Sequence, residues 1–500
     1  MVRSSLIFLL IALLCLLVAD LEITTLDPWL ETGRMAKGAI TPFLTDTSLR
    51  EFFQALLNTL VFGFSGIFLA VFWGSILTLF FHKRPVRMLC AAARSVHELF
   101  WAFLLIPLVG LNPICGVLAI AIPYSGVFAK VYAEIYEETD KTAVDSLPEN
   151  ISAISRFLYG IYPLIRDKVI HYTTYRFECA LRSSTVLGFI GLPTLGFYLE
   201  TAFREGLYSE AFFILFAFYL VILSLKYWFK PALFLPYTVL SLVFVSKEIT
   251  FSQLNIKRFL YEVVPWPVRR DGFYDGTGSL RLNVEGVLQW FAELLGNEAI
   301  PGALNTVILT QVALVGAGIF ALFVFPALSR RFLAAPIRQG VNVLMVMVRT
   351  TPEYIFAYVF ILLWGPSMLP AIIAIVLHNG AITAHLMSGH ADQIRVERDD
   401  PQKAANKYFY NFLPRIYGQF LAFLFYRWEV MMKESSILGI LGIYTLGFYV
   451  DSALDDDKLD KALLLIVVTA VLNVLIDSIS QLIRKRGWLN NDFSFRTIGQ

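Results

Sequence analysis

Residues 175–198 read YRFECALRSSTVLGFIGLPTLGFY, and residues 426–449 read YRWEVMMKESSILGILGIYTLGFY. At a constant offset of 251 residues, 12 of the 24 positions are identical. Three glycines fall in register, Gly188 with Gly439, Gly191 with Gly442 and Gly196 with Gly447. So do an acid and a base four residues apart, Glu178 with Arg182 and Glu429 with Lys433, a spacing that sets opposite charges on one helical face. Both pairs lie in apolar segments. Charge at membrane depth is costly and faces a bundle interior or a water-filled cavity, so each pair is either a functional element or a staple between helices.

Around the motif the chain is apolar: 57% of its 500 residues are hydrophobic, 16% are charged, and 43 are Phe. Several runs are long enough to cross a bilayer, which makes this a polytopic membrane protein. Cys15, Cys90, Cys115 and Cys179 stand singly and read as small core residues. No Gly-Lys dipeptide occurs, so no phosphate-cradling P-loop is present, and any ATP chemistry belongs to another subunit. His97, His171, His378, His385 and His390 show no ligand spacing that supports a metal, and none is expected.

Residues 1–19 read as a first membrane helix in place of a signal peptide, since no small-residue cleavage site follows the apolar run. Further spans are expected at 52–81, 88–110, 114–135, 168–196 and up to Lys226. From Pro231 the pattern restarts, with spans to 246 and at 303–328, 340–364, 368–388, 419–447 and 461–483. Asn58-Thr59 answers Asn305-Thr306, and Arg94 with Glu98 answers Arg349 with Glu353. The fold class expected is therefore all-α, about twelve transmembrane helices as two six-helix repeats. Basic residues such as Lys83, Arg84, Arg87, Lys226, Lys230, Arg330, Arg331 and Arg484 mark the cytoplasmic turns. Both termini then come out inside, although 247–285 is slightly basic where an outer segment is expected.

At this point the chain resembles the permease subunits of bacterial binding-protein-dependent ABC importers, in the phosphonate and phosphite branch. The residues that carry the resemblance are RSVHELFWA at Arg94–Ala102 and the Y-R-W/F-E segment that leads through R-S-x-T-V-L-G into the glycines, Tyr175–Gly196. The resemblance implies two fused permeases: a leading helix and outer segment (1–51), a first type-1 permease domain (52–227), a second leading helix and outer segment (228–301), a second permease domain (302–484) and a cytoplasmic tail (485–500). It also implies an inner-membrane location and a pathway formed by both halves. The implied partners are two copies of an ABC ATPase and a periplasmic binding protein, besides lipid and a small anionic cargo, with no nucleic acid. No cofactor is expected on this chain, ATP being used by the partner, so the chain itself is not an enzyme.

Pathway or gate candidates are Arg176, Glu178, Arg182, Gly188, Gly191 and Gly196 with their counterparts Arg427, Glu429, Lys433, Gly439, Gly442 and Gly447. The glycines either let helices pack closely or mark backbone that unwinds beside a cavity. The family's loop that docks on the ATPase is matched in degenerate form by Asp145, Ile154, Phe157 and Pro163, and less well by Phe409, Phe412 and Pro414. A twelve-helix secondary transporter explains the duplication but not the amphipathic segments after the fourth span of each half. An intramembrane enzyme lacks any paired catalytic constellation.

Overall fold

The computed structural model describes residues 2–25, 27–140, 142, 151–248, 255–271, 284–394 and 406–486, and every regular element among them is helical. The chain forms two compact units, Gly38–Asn255, and Met1–Lys37 together with Ile256–Ile498. The principal helices are α1 (Val2–Val18), α2 (Leu49–Leu79), α3 (Arg84–Ser95), α4 (Glu98–Val109), α5 (Pro113–Glu137), α6 (Tyr162–Val186), α7 (Leu195–Arg204), α8 (Tyr208–Trp228) and α9 (Phe234–Glu248). They continue with α10 (Ile300–Leu328), α11 (Ala335–Thr350), α12 (Glu353–Trp364), α13 (Met368–Gln393), α14 (Leu413–Leu438), α15 (Leu446–Asp455) and α16 (Leu459–Arg486).

In the first unit α2 is opened by a capping box, Ser48 Oγ accepting from Glu51 N–H while the Glu51 carboxylate accepts from Ser48 N–H. It packs along α5 through Gly66 and Gly74, where an added Cβ would stand 2.8 Å from Ile120 and 2.6 Å from Phe128. Small residues are what let two helices approach so closely. The loop before α2 is held by Glu210, whose carboxylate accepts from the backbone N–H groups of Thr45, Asp46 and Thr47. In the second unit Asp460, also in the first turn of the last span, accepts from Trp266 N–H and meets Arg269 at 3.2 Å.

The leading helices do not pack where chain order suggests. Helix α1 belongs with the second half: Phe8 lies 4.9 Å from Phe425 and 5.6 Å from Trp428, and Tyr417 donates to Ser5. Helix α9 belongs with the first, its Tyr237 lying 5.3 Å from Phe64 of α2. Each half therefore carries the leading helix that precedes the other half in the sequence.

Two expected spans turn through nearly a right angle. The run 88–110 bends by 96° between α3 and α4, and 340–364 bends by 91° between α11 and α12. In the second half Pro352 supplies the reason, since it has no N–H for the ladder and disfavours helical backbone in the residue before it. In the first half His97 is extended and its ring caps α4, Nδ1 accepting from Leu99 N–H. Among the described residues six helices are long and apolar enough to cross a membrane, or ten if each bent pair is one span; α1 and α9 contribute two shorter apolar helices.

Candidate functional site: the broken helix and its polar cluster

The repeated motif forms a helix that breaks and restarts. Helix α6 tightens into a 3-10 turn over Leu187–Ile190, reverses at Gly191 with φ +87°, and continues as α7 after a 53° bend. Helix α14 does the same through Gly439–Leu441, Gly442 with φ +85°, and α15 after 44°. Gly191 and Gly442 are needed for that left-handed backbone. The other four glycines make room for the two arms to touch. A Cβ on Gly196 would lie 1.8 Å from the Thr185 carbonyl oxygen, and one on Gly447 1.8 Å from that of Ser436. Gly188 and Gly439 meet the opposite arm at the backbone N of Phe197 and Phe448. Close packing and unwound backbone are both present, at different glycines.

The unwound segment is fastened by the Asn-Thr repeat. Asn58 Nδ2 donates to the Pro193 carbonyl at 2.9 Å, and Asn305 Nδ2 to the Tyr444 carbonyl at 2.8 Å. Thr59 Oγ1 accepts the Leu195 N–H at 3.0 Å while donating to Ala55, and Thr306 Oγ1 accepts the Leu446 N–H at 3.1 Å while donating to Gly302. These bonds take up polar backbone that the break releases, which at membrane depth must be satisfied within the protein. The hydroxyls of Thr194 and Thr445, the residues just before α7 and α15, are fully buried and make no hydrogen bond.

Beside the break each half buries a polar cluster around the glutamate that starts its fourth helix. In the first half Ser183 bridges Tyr124 at 3.2 Å and Glu98 at 3.3 Å, and His97 Nε2 lies 3.5 Å from Glu98. In the second half the cluster centres on Arg427, Asn379 and Glu434. Arg427 Nε donates to Asn379 Oδ1 at 2.7 Å and its Nη2 to Glu434 Oε1 at 3.3 Å. Asn379 Nδ2 donates to Glu434 Oε2 at 2.8 Å. His378 lies with Nδ1 2.8 Å from the Thr351 carbonyl and Nε2 3.8 Å from Glu353.

No family model matches the chain. Five curated relatives do, three of which are the following. It is 24% identical over 427 residues to the phosphate-import permease protein PhnE of Mycolicibacterium smegmatis, covering 80% of this chain and 77% of that protein. It is 27% identical over 234 residues to the phosphite transport system permease protein PtxC of Stutzerimonas stutzeri, covering 45% of this chain and 83% of the relative. Against the putative cryptic phosphonate transport system permease protein PhnE2 of Escherichia coli K12, identity is 33% over 88 residues, 17% of this chain and 72% of PhnE2. The chain belongs to the phosphonate and phosphite ABC permease family. A crystal structure of an amino acid ABC transporter is also similar, at 15% identity and TM-score 0.33, over 41% of this chain and 99% of that one.

In this permease each acid and base expected as an i, i+4 pair lies on one motif helix, Glu178 and Arg182 on α6 and Glu429 and Lys433 on α14. Glu178 is exposed; Arg182, half-buried, donates to Cys179 Sγ at 3.3 Å with Glu178 within electrostatic reach. Glu429 and Lys433 are half-buried on α14, while the buried Arg427 reaches two turns along to Glu434. Arg176, the counterpart of Arg427, instead bonds the Tyr172 hydroxyl and lies over the Tyr172 and Tyr175 rings at 5.2 and 5.6 Å. Glu434 was not singled out by spacing, yet the aligned motifs signal it, because Ser183 stands in its place in the first copy.

Of the docking candidates, Asp145 lies outside the described residues. Ile154 and Phe157 are exposed ahead of Pro163, and Phe409 is exposed ahead of Pro414. Phe412 is not: it packs against Phe332 with ring centroids 5.2 Å apart. Tyr410 provides the second exposed ring of that copy. In both copies a π-helical turn, Arg156–Ile161 and Lys407–Phe412, precedes the motif helix.

Proposed function

We propose that this permease carries a tetrahedral phosphorus oxyanion, of the phosphonate, phosphite or phosphate class, inward across the bacterial inner membrane. The observation that carries the reading is the duplicated broken helix, found in a chain whose relatives are permeases for those same anions. Each copy of the break lines the pathway, with the Arg176 and Arg427 sides of the motif supplying cationic character to an anion's route. Both termini lie in the cytoplasm, in keeping with the basic turns. Two copies of a separate ATPase dock on the exposed apolar faces at Ile154 and Phe157 and at Phe409 and Tyr410. A periplasmic binding protein delivers the cargo from the opposite face. The chain itself hydrolyses no ATP.

Proteoliposomes holding the chain and its ATPase, supplied with the binding protein, test the cargo. Uptake of radiolabelled methylphosphonate, phosphite or phosphate is expected, with sulfate excluded. Uptake of sulfate or an amino acid with none of the three phosphorus anions would overturn the assignment.

A further inference from the structure

We propose that Glu353, His378 and Glu434 form a site for a first-row divalent metal ion of the Zn2+ or Mn2+ class, with no counterpart among the described residues of the first half. The three residues come from three helices, α12, α13 and α14, and one donor atom from each lies within 4.8 Å of the other two. A hydrogen bond from imidazole to carboxylate is about 2.7–3.2 Å long. Two donors held tetrahedrally at about 2.0–2.2 Å by one ion stand roughly 3.3–3.6 Å apart. His378 Nε2 and Glu353 Oε2 are 3.8 Å apart, longer than a hydrogen bond and within a few tenths of an ångström of that ligand spacing.

The orientation of each donor agrees. The Thr351 carbonyl can only accept, so His378 Nδ1 carries a proton, and Nε2, the nitrogen turned toward Glu353, is the one that coordinates when the ring is neutral. A backbone carbonyl holding the far ring nitrogen is the usual support behind a metal-bound imidazole. Glu434 is held in turn by Asn379 and Arg427, through one oxygen each. One imidazole with two carboxylates suits Zn2+ or Mn2+. The two carboxylates balance such an ion and leave the Arg427 charge.

The first half is a natural control within the same chain. Glu98 keeps the place of Glu353, but Ser183 replaces Glu434, and Pro123 stands as far from Glu98 as His378 from Glu353. His97 reaches Glu98 from another position and in the opposite tautomer: its Nδ1 accepts from Leu99 N–H, so Nε2 bears the proton and offers no lone pair.

The test uses the full-length protein in detergent, stripped with EDTA, equilibrated with Zn2+ or Mn2+, dialysed, and assayed for bound metal and melting temperature. Wild type should retain one ion per chain and melt higher with it. Glu434→Ser, which writes the first half's residue into the second, and His378→Gln should each lose that ion, Asn379→Ala should bind about 10-fold more weakly, and Glu98→Gln should bind as wild type does. If Glu434→Ser does not yield folded protein, Glu353→Gln and His378→Gln decide. Absence of bound ion in wild type, or equal ion content in wild type and the ligand variants, would overturn the site. So would a melting temperature that follows pH but not metal, which would assign the place to a proton.

Discussion

At the scale of single residues, the break in the motif helix depends on Asn58, Thr59, Asn305 and Thr306, because each satisfies backbone that no helix ladder reaches. Asn58→Ala or Asn305→Ala leaves a carbonyl without its donor, and Thr59→Val removes the acceptor for Leu195 N–H. Each should cost about 1–3 kcal/mol of stability, read as a lowered melting midpoint in detergent. Thr194→Val and Thr445→Val work in the other direction, since each deletes a buried hydroxyl that has no partner. They should leave stability unchanged or raise it by about 1 kcal/mol. A Thr194→Val protein as destabilised as Thr59→Val would show that the Thr194 hydroxyl is bonded after all. The Asn-Thr dipeptide was legible in the sequence as a repeat, but not its task, because nothing local ties residue 59 to residue 195.

At the scale of elements, the glycine register was open to two readings, close packing or unwound backbone, and the structure contains both inside each motif. The right-angled bends at Val96–His97 and Thr351–Pro352 were hidden inside continuous apolar runs, whose length alone reads as one straight span. Only Pro352 gave a local sign, and its counterpart is histidine. Likewise His378 has no ligand spacing of its own, since its neighbours Glu353 and Glu434 come from two other helices. The amphipathic segments ahead of each motif helix were legible from their apolar periodicity, but which rings point outward was not: Phe412 closes on Phe332 while Tyr410 is exposed. Ile154→Asp with Phe157→Asp should therefore abolish ATPase binding in pull-down. Phe409→Asp with Tyr410→Asp should weaken it less, since that copy matches the family pattern more poorly. Phe412→Asp should instead lower the yield of folded protein, by burying a charge in an aromatic cluster. Equal loss of binding from both exposed pairs would contradict the asymmetry.

At the scale of the whole molecule, duplication was readable from the sequence, whereas the exchange of leading helices was not, because chain order does not say which half a helix packs against. Deleting residues 1–19 should accordingly strip Phe425 and Trp428 of a neighbour and make the second half the more sensitive to limited proteolysis. Greater sensitivity of the first half would contradict the packing described. The exchange also gives fusion a physical sense: one chain guarantees that each half receives the helix it needs. The central claim is that this chain is a permease driven by ATP hydrolysed on a separate subunit, and it is tested most directly by measuring phosphorus-anion uptake into proteoliposomes with and without the purified ATPase. Uptake should require the ATPase, internal or external ATP on the ATPase side, and the binding protein. Uptake by the chain alone, driven by a proton or sodium gradient, would contradict the account.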